Sequence, residues 1–424
     1  MPAFELPNCE LGVATAATQI EGGQLDTNWH RWAAAGRIKD GSSPARACDH
    51  WNRVFEDIDL LVELGIKHYR MGIEWARVEP DPGQFDRDAI QHYRDEVAAL
   101  RAAGIAPLVT IHHFNLPGWL VDSGGWLGPD IRVAFGRLTR LLVTELGSWV
   151  EEWIPINEPN IYATHGFLYG EWPPGERSAI KALRVMQVEA EVHIAAYQMI
   201  HALQPQAKVG SASHLRAFAP ADARNPLHRL ASAGGEYLFQ RALLKAMNTG
   251  RFDPPFVRPS GVVPGRYYDF QGVNYYSRST VRSIGDGVAD GVPVNDLGWE
   301  IYPAGIIEVC RWIHEAYPSP IYITENGTCD NSESFRSRYL YDHLSQIAAS
   351  ELPIQRYYHW CFTDNWEWAE GEVPKFGLVG LDYQTQERTI KDSGRFFADI
   401  IANSGVTQAA FERWVADQQY RTNS

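Results

Sequence analysis

Cysteine is scarce in this chain of 424 residues, which contains five cysteines and no CxxC pair. The five are widely separated, at Cys9, Cys48, Cys310, Cys329 and Cys361. Few cysteines, odd in number and dispersed, do not form the framework of a disulfide-stapled protein. The composition therefore favours a reduced protein, and we expect a cytoplasmic location.

Positive charge and long apolar runs are also lacking. Lysine and arginine total 38 against 52 acidic residues, which gives a net charge of −14. This balance, without basic clusters, argues against nucleic acid or an anionic membrane as a partner. No apolar run approaches the roughly 20 residues of a membrane span. The opening residues, MPAFELPNCELG, show no basic region before an apolar stretch, so no signal peptide is expected.

Several signatures of metal and cofactor chemistry are missing as well. The chain contains no HExxH, no P-loop, no GxSxG and no GxGxxG after a predicted strand. The glycine-rich GDGVADG at 285–291 lacks the calcium-loop pattern and is predicted to be a flexible loop. His112 and His113 are adjacent, so on a strand they point to opposite faces and cannot bind one ion together.

What the chain does contain is a repeated alternation of helix and strand. Apolar spacing predicts a helix over 50–64, with Asp49 capping its start and Gly65 ending it. Eight strands are predicted, over residues 10–17, 66–73, 105–113, 151–157, 207–213, 269–276, 320–326 and 354–362. This alternation indicates an α/β protein, and eight units favour a closed (β/α)8 TIM barrel over an open sheet. We expect residues 1–424 to form a single catalytic barrel domain.

Two of these strands lead into a glutamate. The fourth, in EEWIPINEP, leads to Glu158, and the seventh, in IYITENG, ends at Glu325. A carboxylate beside a core is costly unless it is paired, hydrogen-bonded or catalytic. Active sites of such barrels lie at the C-terminal ends of the strands. We therefore interpret both glutamates as active-site residues rather than as ordinary loop acids.

The remaining strand ends supply amides, aromatic rings, a histidine and an arginine to the same cleft, with no obvious metal cage. Two carboxylates in such a cleft fit glycoside hydrolysis, in which one protonates the leaving oxygen and the other attacks the sugar or activates water. Arg70 is the candidate cation beside the nucleophile, with an ordinary structural ion pair as the alternative. The 15 tryptophans suit stacking on sugar rings, although filling a large core explains most of them better.

A series of separate motifs then points to one family. They are GVATAATQIEGG (12–23), ACDHWNR (47–53), HHFNLPGWL (112–120), GGWL (124–127), INEPN (156–160), GVNYY (272–276), DLGWEIYP (296–303), ITENG (323–327), DNWEWAEG (364–371) and KDSGRFF (391–397). With these motifs the chain resembles glycoside hydrolase family 1, the β-glucosidases and β-glycosidases, over nearly its whole length.

The resemblance implies a role for each matching residue. Glu158 resembles the general acid/base and Glu325 the nucleophile, supported by Arg70 and Tyr276 beside the nucleophile and Asn274 near the acid/base. The residues implied to bind substrate are Gln19, His113, Asn157, Trp299, Trp360, Glu367 and Trp368. Trp299 belongs to the outer, aglycone side. No metal or organic cofactor is implied.

The resemblance also implies an activity. We expect a retaining exo-β-glycosidase that acts on unphosphorylated β-D-glucosides, and also on β-galactosides or β-fucosides. Its partner would be a small β-glycoside or oligosaccharide. Glu370 stands where the branch that cleaves 6-phosphorylated sugars has a small polar residue, and a carboxylate there would repel a phosphate. Lys375 is interpreted as a solvated loop charge.

Other interpretations stay open at this point. They are a transglycosidase using the same residues, a 6-phospho-β-glycosidase, and a sugar-binding protein without activity, against which the retention of both Glu158 and Glu325 argues. A homo-oligomer is left open beside a monomer. Departures from the family pattern put the sugar preference in doubt; they are Phe114, Asn115, Pro155, Cys361, Phe362, Thr363 and Trp366.

Overall fold

The computed structural model describes residues 3–283 and 286–423, and its centre is a closed barrel of eight parallel strands. The strands are β1 (Glu10–Ala14), β2 (His68–Gly72), β3 (Ala106–His112), β4 (Glu152–Ile156), β5 (Lys208–His214), β6 (Phe270–Asn274), β7 (Ile321–Asn326) and β8 (Ile354–Trp360). Their order around the barrel is β7-β8-β1-β2-β3-β4-β5-β6, and β6 pairs with β7 to close it. The prediction of a (β/α)8 barrel is confirmed.

Helices surround this barrel and follow the strands in the expected alternation. The longer ones are His50–Glu63, Arg87–Ala102, Ile131–Leu146, Ala179–Leu203, Pro226–Glu236, Ala242–Thr249, Ala304–Ala316, Arg336–Ala348 and Asp392–Asn403. Shorter helical segments lie at Ala17–Ile20, Asn28–Ala34, Trp75–Val78, Gly118–Asp122, Gly125–Leu127, Pro159–Ala163, Thr164–Tyr169, Tyr237–Arg241, Trp368–Glu370 and Gln408–Trp414.

The sequence pattern of the barrel strands follows from their burial. Every residue of β2, β4, β6 and β7 is buried, because helices cover the outer face and side chains fill the interior. Such strands read as nearly continuous apolar runs. The polar residues inside them, Arg70 on β2 above all, must therefore find partners within the barrel.

Pro155 interrupts the pairing of β4 with β5 just before the candidate site. β4 pairs with β5 only at Glu152 and Trp153, and contact resumes at the bridge between Asn157 and Ala212. Proline has no N–H to donate to a ladder, so it is normally excluded from central strands. Here it stands where the two strands separate, and the backbone amide of Glu158 restores the link with a 2.7 Å hydrogen bond to the Ala212 carbonyl.

One predicted detail of the helices is wrong. Asp49 does precede His50–Glu63, but its φ of 49° is left-handed and its side chain caps no backbone amide. Its carboxylate instead accepts hydrogen bonds from the side chains of Asn52 and Arg53. Gly65 does follow the helix, with the positive φ of 71° for which glycine is favoured.

Short strands outside the barrel form further pairings, all but one of which are antiparallel. They join Phe4–Glu5 to Gly405–Val406, Pro293–Val294 to Arg421–Thr422, Val379–Leu381 to Arg388–Ile390, and Arg278–Val281 to Asp286–Gly287, with Ala217–Pro220 parallel to Arg278–Val281. Asp286–Gly287 belongs to the predicted flexible loop, so this part of the loop is paired, while Gly285 lies outside the described residues.

Two further findings bear on the expectations from composition. Among the described residues, no helix is both long and apolar enough to cross a membrane. All five cysteines are buried and free.

The close packing of the strands yields a stability prediction. A Cβ added to Gly272 on β6 would lie 1.9 Å from the Ser211 carbonyl oxygen of β5, and overpacking of this kind costs on the order of 1–3 kcal/mol or more. Gly272→Ala should therefore lower the melting temperature markedly. Gly234→Ala is the matched control, because its Cβ meets nothing within 4 Å on a helix; it should leave stability unchanged or slightly increased. Equal melting temperatures for the two variants would contradict this account.

Candidate active site

A cleft of about 480 Å³ opens at the C-terminal ends of the barrel strands. Eight of the twelve predicted site residues line it: His113, Glu158, Tyr276, Trp299, Glu325, Trp360, Glu367 and Trp368. The other four, Gln19, Arg70, Asn157 and Asn274, are fully buried directly behind them. The structure thus brings all twelve together around one cleft.

Glu325, at the end of β7, contacts a cation and a hydroxyl. Arg70 Nη1 donates to its Oε1 at 2.5 Å, and the Tyr276 hydroxyl donates to its Oε2 at 2.6 Å. Burial raises the pKa of Glu325 to about 7, while Arg70 and the Tyr276 hydroxyl act to lower this pKa and the charge of Glu158 to raise it. Both oxygens are thereby fixed in place at the wall of the cleft.

Arg70 is held in turn by three other strands. Its Nε donates to Thr110 Oγ1 at 3.0 Å, its Nη1 also to the Thr324 carbonyl at 3.1 Å, and its Nη2 to Asn157 Oδ1 at 2.6 Å. A fully buried guanidinium needs partners for its donors and a counter-charge. Glu325 is that counter-charge, so the ion pair is a built part of the cleft wall.

Glu158 has a different environment, made of neutral donors. Asn274 Nδ2 lies 2.9 Å and His214 Nδ1 3.0 Å from its Oε1. The residue follows β4 with a φ of 41°, a left-handed conformation that is uncommon outside glycine. Burial raises the pKa of Glu158 to about 7, against the lowering effect of the Asn274 hydrogen bond.

The two carboxylates therefore compete unequally for a single proton. Both are buried, and burial disfavours two charges in one cleft. Of the two, Glu325 contacts a cation, Arg70, whereas Glu158 contacts neutral donors. We infer that when the pair holds one proton, the proton resides on Glu158 and Glu325 is ionised.

A network of amides connects these groups. Asn157 Oδ1 accepts from Arg70 and, at 3.1 Å, from Asn274 Nδ2. Thr324 Oγ1 donates to Asn274 Oδ1 at 2.6 Å, which fixes the orientation of that amide. Asn157 Nδ2 donates to His113 Nε2 at 2.9 Å, so the neutral His113 ring carries its proton on Nδ1.

Glu367 provides a third carboxylate that lines the cleft and is half-buried. Gln19 Nε2 donates to its Oε2 at 3.0 Å and also contacts Asn365 Oδ1 at 2.9 Å. Burial raises the pKa of Glu367 to about 8, with the Gln19 hydrogen bond opposing. Gln19 Oε1 and His113 Nδ1 are buried without a partner among the described residues. Unmatched acceptors and donors beside a cleft are suited to a polyhydroxylated ligand.

Aromatic rings form the walls. The His113 ring stacks against Trp360 and against Trp368, with ring centroids 5.7 Å apart in both cases. Trp299 is 37% exposed at the mouth and meets Tyr276 edge-on at 5.8 Å. Trp366, one of the departures from the family pattern, is fully buried and does not line the cleft. His112 faces Trp126 and Phe135 outside the barrel, as the strand alternation predicted.

Several cleft residues were missed at the sequence level. The fifth strand was predicted to end at residue 213, so His214, the last residue of β5, was not considered. Extending that strand by one residue would have found it. Other cleft residues that were not predicted include Arg37, Lys39, His165, Glu171, Trp172 and Arg216. Except for His165, which lies in the short helical segment Thr164–Tyr169, they come from loops whose paths have no periodic signal.

The carboxylate of Glu370, which was expected to repel a phosphate, is paired with a cation at the rim of the cleft. Glu370 lines the cleft, and Lys39 Nζ contacts its Oε1 at 2.6 Å. Lys375 Nζ lies 4.5 Å from the centre of the Tyr383 ring and does not line the cleft. Among the described residues, no group of three or more His, Cys, Asp or Glu side chains could hold a metal ion.

Comparison with known proteins places these features in a family. The model of glycosyl hydrolase family 1 matches residues 8–256 and 266–406. The β-glucosidase A of Thermotoga maritima is 33% identical over 93% of this chain and 97% of its own. The structure of the T. maritima β-glucosidase in complex with glucoimidazole superposes with a TM-score of 0.89 at 31% identity, covering 96% of this chain and all of that one. The β-glycosidase from Pyrococcus horikoshii gives 0.90 at 32% identity, covering 98% of each chain.

The contact between Tyr276 and Glu325 generates a pH prediction. The acid limb of kcat/KM is expected to report ionisation of Glu325, so activity falls as pH drops through its pKa. Tyr276→Phe removes a donor to the carboxylate, which raises that pKa and moves the acid limb to higher pH by about one unit. The measurement is the pH profile of p-nitrophenol release from the β-glucoside.

Tyr275→Phe is the matched control, because the Tyr275 hydroxyl donates to the Tyr302 carbonyl at 2.6 Å and touches neither carboxylate. Its acid limb should stay at the parent's position. An unmoved acid limb in Tyr276→Phe would contradict the inferred link between this hydroxyl and Glu325.

Proposed function

Because the chain belongs to glycosyl hydrolase family 1 and is a hydrolase of the β-glucosidase type, we propose that it cleaves unphosphorylated β-D-glucosides with retention of configuration. Glu325 is the proposed nucleophile and Glu158 the general acid/base. The observation that carries this assignment is the difference in their contacts. Glu325 is held by a cation and a hydroxyl, whereas Glu158 is held by neutral nitrogen donors.

The first step follows from that difference. Glu325 attacks the anomeric carbon while Glu158 gives its proton to the departing glycosidic oxygen, so the aglycone leaves as a neutral alcohol. A covalent glycosyl-enzyme ester remains on Glu325. Arg70 and Tyr276, which contact the two oxygens of Glu325, hold the carboxylate in position for the attack.

In the second step Glu158 acts as a base instead of an acid. Glu158, now ionised, takes a proton from water as the water attacks the anomeric carbon, and Glu325 is released as a carboxylate. Each inversion cancels the other, which gives net retention. The product anomer, observed by proton NMR immediately after hydrolysis, tests this: an α-glucose first product would contradict retention.

The sugar itself is proposed to be held by Glu367, Gln19, His113 and Asn157. Glu367 can accept two hydroxyl hydrogen bonds, which are strengthened by its charge. The unmatched atoms Gln19 Oε1 and His113 Nδ1 supply a further acceptor and donor. Trp360 and Trp368 would cover the apolar face and the outer hydroxyls of the ring, with Trp299 on the aglycone side.

The proposal extends to the sugar preference, the acceptor and the cellular location. β-Galactosides and β-fucosides are proposed as additional substrates. Unphosphorylated sugars are favoured because the carboxylate of Glu370 lines the cleft and already engages the ammonium group of Lys39. Transfer to an added acceptor alcohol would appear as a new glycoside and distinguish transglycosylation from hydrolysis. Five free, buried cysteines support a reducing, cytoplasmic location.

The nucleophile assignment predicts the effect of Glu325→Gln. Without a carboxylate no glycosyl ester can form, so kcat should fall on the order of 10⁴-fold or more. The measurement is p-nitrophenol release from the unphosphorylated β-glucoside. Glu300→Gln is the matched control, because Glu300 is also buried and paired with an arginine, Arg278, at 2.6 Å but does not line the cleft. Comparable losses in both variants would remove the support for Glu325.

The acid assignment predicts a dependence on the leaving group. Glu158→Ala should lose about 10²–10⁴-fold in kcat/KM on alkyl glucosides, which need protonation to depart. It should lose far less on 2,4-dinitrophenyl glucoside, which departs as a stable anion. Kinetics with a series of aryl and alkyl glucosides measure this. Equal losses across the series would rule out the acid role.

A further inference from the structure

A chain of hydrogen bonds reaches Glu158 from the end of β5. Arg216 Nε lies 3.2 Å from His214 Nε2, and His214 Nδ1 lies 3.0 Å from Glu158 Oε1. The His214 ring stacks on Tyr276 with centroids 5.7 Å apart and planes at 16°, and it meets Phe239 edge-on at 6.1 Å. The imidazole is therefore fixed between two aromatic rings and cannot turn freely.

The direction of each bond follows from the donor inventory. A guanidinium can only donate, so His214 Nε2 must accept from Arg216. The proton of a neutral ring then lies on Nδ1, which donates to Glu158 Oε1. Burial, with the nearby Arg216 charge, holds the pKa of His214 well below its usual range, so the ring is neutral at pH 7.

Glu158 Oε1 thus accepts hydrogen bonds from two N–H groups and does not itself carry a proton. The second donor is Asn274 Nδ2 at 2.9 Å, whose amide is fixed by the Thr324 hydroxyl on Asn274 Oδ1. Oε2 has no hydrogen-bond partner in the part of the chain that the structure describes. Oε2 is therefore the oxygen of Glu158 that is available to a ligand in the cleft, which Glu158 lines.

We propose that Arg216 and His214 are positioning residues that hold the catalytic proton of Glu158 on Oε2, the oxygen available to the leaving group; this rests on the proposed role of Glu158 as the general acid. The other tautomer shows why Arg216 matters. With its proton on Nε2, His214 would present Nδ1 as an acceptor. The carboxylic proton of Glu158 would then sit on Oε1 and point at the imidazole rather than at the substrate.

The remaining charged groups near His214 leave this arrangement intact. Glu325 acts on it only through its field, and its charge is paired with Arg70. His165, across the cleft rim, is neutral, because burial lowers its pKa to about 4, and it contacts Glu171 at 3.1 Å. Arg216 is the charged donor that selects the tautomer of His214.

The first test reads the tautomer directly in the full-length protein. Histidine labelled with ¹⁵N distinguishes an Nδ1–H ring, an Nε2–H ring and an imidazolium by chemical shift, and His214→Asn identifies the signal by its loss. We expect an Nδ1–H ring in the parent across neutral pH. Arg216→Met should shift the signal to an Nε2–H ring or an imidazolium, and Arg216→Lys, which keeps a donor, should restore the parent state.

The same variants are compared in kinetics. Arg216→Met should lower kcat on an alkyl β-glucoside about tenfold more than on 2,4-dinitrophenyl β-glucoside, because only the former needs the proton. Arg216→Lys should recover most of that difference. Arg216 also lines the cleft, so a change in KM alone is expected in both variants and is not counted.

Two substitutions of His214 separate its two bonds. In His214→Asn the amide nitrogen occupies the place of Nδ1 and can still donate to Oε1; in His214→Gln the amide reaches towards Arg216 and that donor is lost. Losing a donor to the carboxylate raises the pKa of Glu158. The basic limb of kcat/KM should therefore move to higher pH by about half to one unit in His214→Gln and remain near the parent's in His214→Asn.

The proposal is overturned if the parent ring is Nε2–H or imidazolium at neutral pH. It is also overturned if Arg216→Met lowers turnover equally for both leaving groups with an unchanged His214 signal, or if the two His214 variants share one pH profile. Failure of the proposed function is separate: it would appear as equal losses of Glu158→Ala across leaving groups, whatever the state of His214.

Discussion

The buried ion pair between Arg70 and Glu325 is the interaction on which the rest of the active site depends. A guanidinium and a carboxylate removed from water are stable only when their geometry is good and their remaining donors and acceptors are satisfied. Arg70 meets this requirement with Thr110, Asn157, Thr324 and Glu325, which come from β3, the end of β4 and β7. The pair therefore links four strands across the barrel interior, and it can form only when the barrel is closed.

Burying the carboxylates costs free energy, and it also sets the pKa values on which their proposed chemistry depends. Burial raises the pKa values of Glu158, Glu325 and Glu367, so one proton can be shared near neutral pH. The neighbouring groups then decide where it resides. Arg70 draws the charge to Glu325, and the neutral donors around Glu158 allow that residue to keep the proton. The proposed acid and the proposed nucleophile are the same residue type and differ in their partners.

Much of this was predictable from the sequence, and the exceptions have physical reasons. Buried strands of eight βα units are visible because both faces are apolar, and all eight were predicted. The helix Pro226–Glu236 was not, because it leaves Leu227 and Leu230 71% and 72% exposed and its apolar pattern does not mark a buried face. Asp49 was predicted as a cap from residue type alone, and its left-handed φ prevents this. His214 was missed because the polar residues of GSASH hide where β5 ends. Its proposed role depends on Arg216, whose approach no local pattern reveals.

Irregular backbone is concentrated where the chemistry is proposed. Glu158, Phe114 and Trp368 have positive φ values of 41°, 65° and 48°, and the pairing of β7 with β6 shifts register between Ile323 and Glu325. Regular ladders would direct these side chains into the packed interior or the helix layer, since strand residues alternate between the two. Such strained conformations persist only where the surrounding structure fixes them. The well-paired lower parts of the strands thus supply the stability that allows the upper ends to depart from regular geometry and converge on one cleft.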